Sequence, residues 1–379
     1  MPTDLVVVFC ISMLGAFFGQ AVPGKRKNAF GKFKPNILGF IIPATVMILY
    51  SGLRNNIGDT IYYVHTYHLL EEGDLVMPTW GQKAYLFEML QYLLIKSGLE
   101  YSAFIMISSI AALFPMMWLF YNYSADYSLS VFLLFTMGIY TSTMNGIRQY
   151  VAVGIVLLGS QYLFSEKKSG FLKLLVLILI ASLFHSSAII VIPIYFLCRR
   201  KAWSAPAMIS VFAGVAALLF ISMFLPSFLT ILEDTSYSGY ADGWFTSGQE
   251  SGASLIRVVF NCIPTVLAAI FSKHVRRFGP IADILINISL VHSAIFLLAL
   301  YNWIFARFAF YTWPFVVLLM TIIFVTVLRN GKYRFIAFFL FAIYFVYFVI
   351  DTRAGRMNWY ASDFFTPNNN MWFKFLYLS

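Results

Sequence analysis

Apolar runs of about 18 to 26 residues, separated by short polar breaks, recur along nearly the whole sequence. They cover residues 5–22, 36–53, 101–121, 127–144, 148–165, 205–230, 254–272, 280–302, 308–328 and 333–350. A helix needs about 20 apolar residues to cross ~30 Å of hydrocarbon. The pattern therefore predicts an all-α, polytopic integral membrane protein with about 10 full transmembrane helices, forming one transmembrane domain over 1–379. Two stretches fit less simply. Residues 82–97 carry Lys83, Glu88, Gln91 and Lys96, which predicts an amphipathic helix lying on the outer surface. Residues 171–198 are long for one span and short for two, and Phe184-His185-Ser186-Ser187 interrupts them. They are expected to form a broken or re-entrant helix pair.

Composition narrows the class. Of 379 residues, 60% are apolar and 11% charged, against about 25% charged in a soluble domain. Soluble, disordered and disulfide-scaffold readings are excluded. Cys10, Cys198 and Cys262 show no ligand spacing, so no metal or disulfide is expected. The first run lacks a preceding basic residue and a small-residue cleavage site, and predicts a retained anchor rather than a removable signal.

Charge orients the chain. With the N-terminus outside, 82–97 not crossing and 171–198 entering and returning, loops 23–35, 166–173, 199–201, 273–277 and 329–334 share one side. They hold 17 of the 26 basic residues, while 13 of the 16 acidic residues fall opposite, among them Asp59, Glu71, Glu72 and Asp74. The basic side is cytoplasmic. The sizeable loops 54–81 and 231–253 and the aromatic tail 351–379 then face outward. The net charge of +10 reflects this loop bias, not a nucleic-acid partner. The sequence has no GxxxxGK, GxGxxG, HExxH or GxSxG, so no nucleotide, cofactor, zinc or esterase chemistry is expected.

The informative residues are polar ones at membrane depth. Arg148, in Asn145-Gly146-Ile147-Arg148-Gln149-Tyr150, and Arg307, in Trp303-Ile304-Phe305-Ala306-Arg307 with Tyr311 beyond, both fall at outer ends of apolar runs. An arginine there costs at least a few kcal/mol unless it lines a cavity or binds a ligand. Snorkelling to outer headgroups is the competing explanation. The planar guanidinium suits phosphate, and two of them point to a lipid-linked pyrophosphate. His185 sits where the 171–198 run should turn, and offers an acid, a base or a phosphate donor. A histidine merely hydrogen-bonded within the bundle is the alternative. In Arg54-Asn55-Asn56-Ile57-Gly58-Asp59-Thr60-Ile61-Tyr62-Tyr63, Asp59 is a candidate base, Arg54 an anion contact, and Tyr62 and Tyr63 stacking platforms for a sugar. Gly-Asp is also an ordinary turn. His65 and His68 have helical ligand spacing but no third ligand, so no metal site is expected.

The set Arg54…Gly58-Asp59-Thr60…Tyr63, Asn145-Gly146-Ile147-Arg148-Gln149 and Ala181-Ser182-Leu183-Phe184-His185-Ser186-Ser187-Ala188 resembles the EpsG family of Wzy-type polysaccharide polymerases. The likeness is clearest over residues 40–200, with Arg307…Tyr311 resembling a later element less distinctively. It implies a bacterial plasma (inner) membrane glycosyltransferase working on the outer face without metal or nucleotide. Its substrates would be undecaprenyl-diphosphate-linked oligosaccharide repeat units, joined into O-antigen, capsule or exopolysaccharide. A flippase and a chain-length regulator are the implied partners, besides membrane lipid. Catalytic roles would fall to Asp59, His185, Arg148 and Arg307, and substrate contacts to Arg54, Tyr62, Tyr63, Asn145, Gln149 and Tyr311. A transporter or flippase of lipid-linked oligosaccharide, an O-antigen ligase and a membrane acyltransferase remain alternatives.

Overall fold

The computed structural model describes residues 3–73, 75–167, 169–223, 252–354, Met357 and 360–362. Loop residues 231–251, with Glu233, Asp234, Asp242 and Glu250, lie outside the described residues. So do Asp74 and most of the 351–379 tail, including Trp359, Trp372 and Phe373.

The described residues are mainly helical, with one antiparallel hairpin among them, β1 (Pro23–Lys27) with β2 (Phe33–Pro35). The hairpin arises inside the basic loop because Asn28 turns it. Its Oδ1 accepts from the Phe30 and Lys32 amides at 2.9 and 3.1 Å. The first eight helices are α1 (Thr3–Ala21), α2 (Ile37–Gly52), α3 (Thr60–Glu72), α4 (Tyr85–Lys96), α5 (Tyr101–Tyr123), α6 (Tyr127–Thr136), α7 (Ile139–Ser142) and α8 (Ile147–Leu158).

Thr3–Ala21, Tyr101–Tyr123, Pro280–Leu298 and Gly331–Ala354 are each long and apolar enough to cross a membrane. Two further pairs qualify if a bent pair counts as one span. Leu255–Ile270 with Ser272–Phe278 turns through 79°, and Trp303–Tyr311 with Trp313–Arg329 through 69°. The described residues thus give four to six spans, and the expected ten are not confirmed. Ile37–Gly52 is a shorter helix, the 205–230 run leaves the described residues after Met223, and two further runs carry breaks that hydropathy does not register. The run 127–144 is cut at Gly138, which adopts φ +78°. The run 148–165 is cut at Gly159, between Ile147–Leu158 and Ser160–Leu163. The stretch 54–81 is not simply a loop, since it contains α3, and 82–97 holds the expected helix as α4. The break in 171–198 falls at His185, between Ser169–Phe184 and the 3₁₀ turn Ser186–Ile190.

The chain divides into two compact units. One draws on the described residues of 1–160, 179–188 and 327–379, the other on those of 161–178 and 189–326. In the first, α1 packs on α2, α2 on α5 and α5 on α8, while α6 lies between α1 and Arg334–Ala354. Lipid offers helices little hydrophobic reason to associate, so backbones must approach closely. At the α1–α2 crossing a Cβ on Gly19 would stand 2.3 Å from the Gly39 Cα. At the α5–α8 crossing one on Gly154 would stand 1.9 Å from the Ala111 carbonyl oxygen. The outward faces are apolar, with Leu14 70% and Phe335 78% exposed, as a hydrocarbon solvent requires.

In the second unit Leu255–Ile270 packs on Pro280–Ala299, which also contacts Val191–Cys198 and Trp303–Tyr311. Polar side chains stitch it internally. Asn287 Nδ2 donates to the Cys198 and Arg200 carbonyls at 3.0 and 2.6 Å. The buried His292 ring lies between Thr312 Oγ1 at 2.8 Å and Asn261 Oδ1 at 3.0 Å.

Candidate functional site

The turn after α2 is anchored from beneath. Arg54 is buried, and its Nε donates to Thr60 Oγ1 at 2.7 Å. Its Nη1 donates to the Ser51 carbonyl, to Ser51 Oγ at 2.9 Å and to Ser109 Oγ at 3.1 Å. Burial lowers the guanidinium to about 10, partly opposed by Tyr360, Tyr140 and Asp59, so it stays cationic at neutral pH. Residues 360–362 fold onto the same turn. Asn56 Oδ1 accepts the Ala361 amide at 2.5 Å, and the Asn55 amide donates to the Ala361 carbonyl at 3.1 Å. Tyr360 stacks on Tyr50 with ring centroids 4.1 Å apart.

Held in this way, the turn carries two successive residues in the left-handed region, Ile57 at φ +85° and Gly58 at +53°. A β-branched residue there stores about 1–3 kcal/mol of strain, a feature that clusters at functional sites. Gly58 is required twice over. Its φ favours glycine, and a Cβ would lie 2.8 Å from the Met144 carbonyl oxygen. This close approach brings Asp59 to the start of α8, where its Oδ2 accepts the Gly146 amide at 2.8 Å. Gly146, at φ +79°, is the N-cap of α8. A carboxylate is favourably placed there, because a helix N-terminus carries partial positive charge.

α8 then presents its first turn. Asn145 is exposed and Arg148 half-buried. The Arg148 guanidinium lies over the Phe87 ring, 5.9 Å from its centroid. Its Nε is buried with no hydrogen-bond partner among the described residues. Gln149 is buried and donates from Nε2 to Ser187 Oγ at 3.2 Å. Ser187 Oγ in turn lies 2.7 Å from His185 Nδ1. The Ser187 amide also points to Nδ1, at 3.4 Å. The ring proton of neutral His185 therefore sits on Nε2, and the imidazole is equipped to donate.

An aromatic floor underlies these groups. Tyr63, Phe87, Phe104 and Ile147 are buried together, with Phe184 packed against them. Tyr63 is thus part of the floor, whereas Tyr62 is 66% exposed and open to a ligand. His68 pairs with Glu71 at 3.0 Å.

The first unit therefore gathers Arg54, Asp59, Tyr63, Asn145, Arg148, Gln149 and His185 through these links. Arg307 and Tyr311 belong to the second unit. There Arg307 lies 5.2 Å over the Trp303 ring on the 3₁₀ segment Trp303–Tyr311, and Tyr311 is buried. The sequence reading did not single out Ser187 and Tyr360 as participants, nor Glu88, an electrostatic neighbour of Arg148. Glu88 carried a signal, as a carboxylate on a mostly apolar helix. His292 carried one too, as an ionisable residue inside an apolar run.

The EpsG family model matches residues 37–364. No curated protein matches the chain, and no solved structure does.

Proposed function

The chain belongs to the EpsG family, and from that premise we propose that it is the polymerase of a lipid-linked polysaccharide repeat unit. As a family member with several membrane-length apolar helices, it is a membrane protein of polysaccharide biosynthesis. The finer reading is as follows. Undecaprenyl-diphosphate-linked oligosaccharides are joined at the outer face of the bacterial plasma membrane. The growing chain leaves its diphosphate carrier for a hydroxyl of the incoming unit.

The observation that carries this reading is the state of Arg148. It is a half-buried cation whose Nε has no partner among the described residues, set in the first turn of α8 next to Gln149, which is tied through Ser187 to His185. Guanidinium, helix N-terminus and N–H imidazole all favour a phosphate-bearing ligand. A diphosphate leaving group needs such stabilisation as charge develops on it, and one well-placed donor is typically worth ~10²–10³-fold. Arg307, on the second unit, is a proposed anion contact on the strength of the family resemblance alone. Asp59 and Arg54 shape the turn that presents Arg148. The exposed Tyr62 and Asn145 supply sugar contacts.

Orientation draws on the same unit. The basic hairpin and the candidate site lie at opposite ends of α2, since one precedes Ile37 and the other follows Gly52. If the basic end is cytoplasmic, the candidate site faces outward, where the lipid-linked units are presented.

Deletion of the gene followed by electrophoresis of the surface glycan tests the reading. A ladder collapsing to single repeat units is the expected result. Loss of all surface glycan would instead indicate a flippase or ligase.

A further inference from the structure

We infer that Glu88 on α4 is the group that takes the proton from the attacking sugar hydroxyl. The inference rests on the polymerase reading above. Transfer of the chain forms a bond between the acceptor oxygen and the anomeric carbon. It breaks the bond from that carbon to the diphosphate, whose oxygen leaves with the electron pair. The hydroxyl proton needs an acceptor within hydrogen-bond reach of the attacking oxygen.

Two described carboxylates are tied to the Arg148 turn, and they are placed differently. Asp59 accepts the backbone amide of Gly146, the N-cap of α8, and so serves as a brace of that turn. Glu88 stands in the first turn of α4, next to Phe87, whose ring lies beneath the Arg148 guanidinium. Its Oε2 accepts from the Gln82 side-chain amide, and Arg148 is its electrostatic neighbour. The entry to α4 is fixed by Ala84 in the left-handed region at φ +54° and by the buried Phe87. The carboxylate is thus presented from a positioned helix turn. Burial raises the Glu88 pKa above its ordinary value, although Arg148 and Gln82 both act to lower it. A carboxylate of raised basicity, held on a positioned helix turn near the Arg148 turn, is suited to take a proton from a hydroxyl bound there.

The test uses full-length protein in membrane vesicles and, as substrate, the lipid-linked repeat unit extracted from the deletion strain. Glu88→Gln keeps the shape and removes the basicity. Turnover should fall by about 10²–10⁴-fold, with KM for the lipid-linked unit nearly unchanged and normal protein level in the membrane. Glu88→Asp should recover part of the turnover. Wild-type turnover in Glu88→Gln would overturn the proposal. So would a raised KM at unchanged kcat, since Glu88 would then only brace Arg148. Failure of the wild-type protein to build chains would overturn the polymerase reading, and this proposal with it. Chains from wild type together with an active Glu88→Gln would overturn the proposal alone.

Discussion

At the end of the first unit that carries the β1–β2 hairpin, polar and cationic side chains close on neighbouring acceptors. Lys32 Nζ donates to the Ala125 carbonyl, Asn28 Nδ2 to the Ser124 carbonyl at 2.7 Å and Lys34 Nζ to Asn122 Oδ1 at 2.5 Å. Gln20 Nε2 meets Asp126 at 2.6 Å. Burial lowers the Lys32 pKa, with Arg329 adding to the effect and Asp126 opposing it. At the other end of α2 the pattern changes within one turn of structure. Arg54 donates from Nε and Nη1 to Thr60, Ser51 and Ser109, while Arg148 keeps a buried Nε without a partner among the described residues. The backbone between them runs through left-handed Ile57 and Gly58. The hairpin end thus resembles an anchor, with its hydrogen-bonding demand met internally. The α8 end holds donor capacity and backbone strain in reserve, as a binding site does.

The comparison breaks most visibly at Arg148. Arg148→Lys and Arg307→Lys remove the forked donor and keep the charge. Each should cut long-chain glycan by about 10²–10³-fold, read from ladder length at normal protein level in the membrane. Full-length ladders from both would reduce the two arginines to snorkelling charges.

Arg54→Met sharpens the contrast between two arginines that look alike in the sequence. It leaves Ser51, Thr60 and Ser109 without their donor, at a cost of about 1–3 kcal/mol. Folded protein in the membrane should fall, measured by thermal denaturation in detergent. Turnover per folded molecule should fall far less than in Arg148→Lys.

Asp59→Asn keeps an acceptor for the Gly146 amide and removes a charge worth about 0.3–1 kcal/mol at a helix N-terminus. A two- to fivefold loss of elongation is expected from pulse-labelled glycan. Complete loss at normal protein level would return the proton-accepting role to Asp59, the role its sequence context first indicates. At the hairpin end, Lys34→Ala deletes one hydrogen bond, worth about 1 kcal/mol. It should shift thermal stability slightly and leave the glycan ladder unchanged.

The sequence exposes what depends on local pattern. Long apolar helices such as α1 and α5 follow from hydropathy, and the break at His185 follows from a polar tetrapeptide inside an apolar run. The turn opening α8 follows from Asn145-Gly146. What it hides is set by contacts distant along the chain or by single dihedral angles. Gly138 and Gly159 sit in apolar runs, so a hydropathy count passes over the breaks they mark. Arg54 and Arg148 share a residue type and a polar context. Only packing against Ser51, Thr60 and Ser109 separates the braced cation from the available one. Glu88 reads as one polar residue of an amphipathic helix, because its neighbour Arg148 lies 60 positions away.

The central claim is that chemistry occurs at the α8 end, on the outer face. Tyr62 and Phe33 are exposed at 66% and 58%, one in the site region and one on the hairpin. Tyr62→Cys and Phe33→Cys cells, making glycan, would be treated from outside with a small membrane-impermeant thiol reagent, with wild type as control. Elongation should stop in Tyr62→Cys cells only, and Phe33→Cys should label only after lysis. Outside labelling of Phe33→Cys, or Tyr62→Cys that labels only after lysis, would contradict the account.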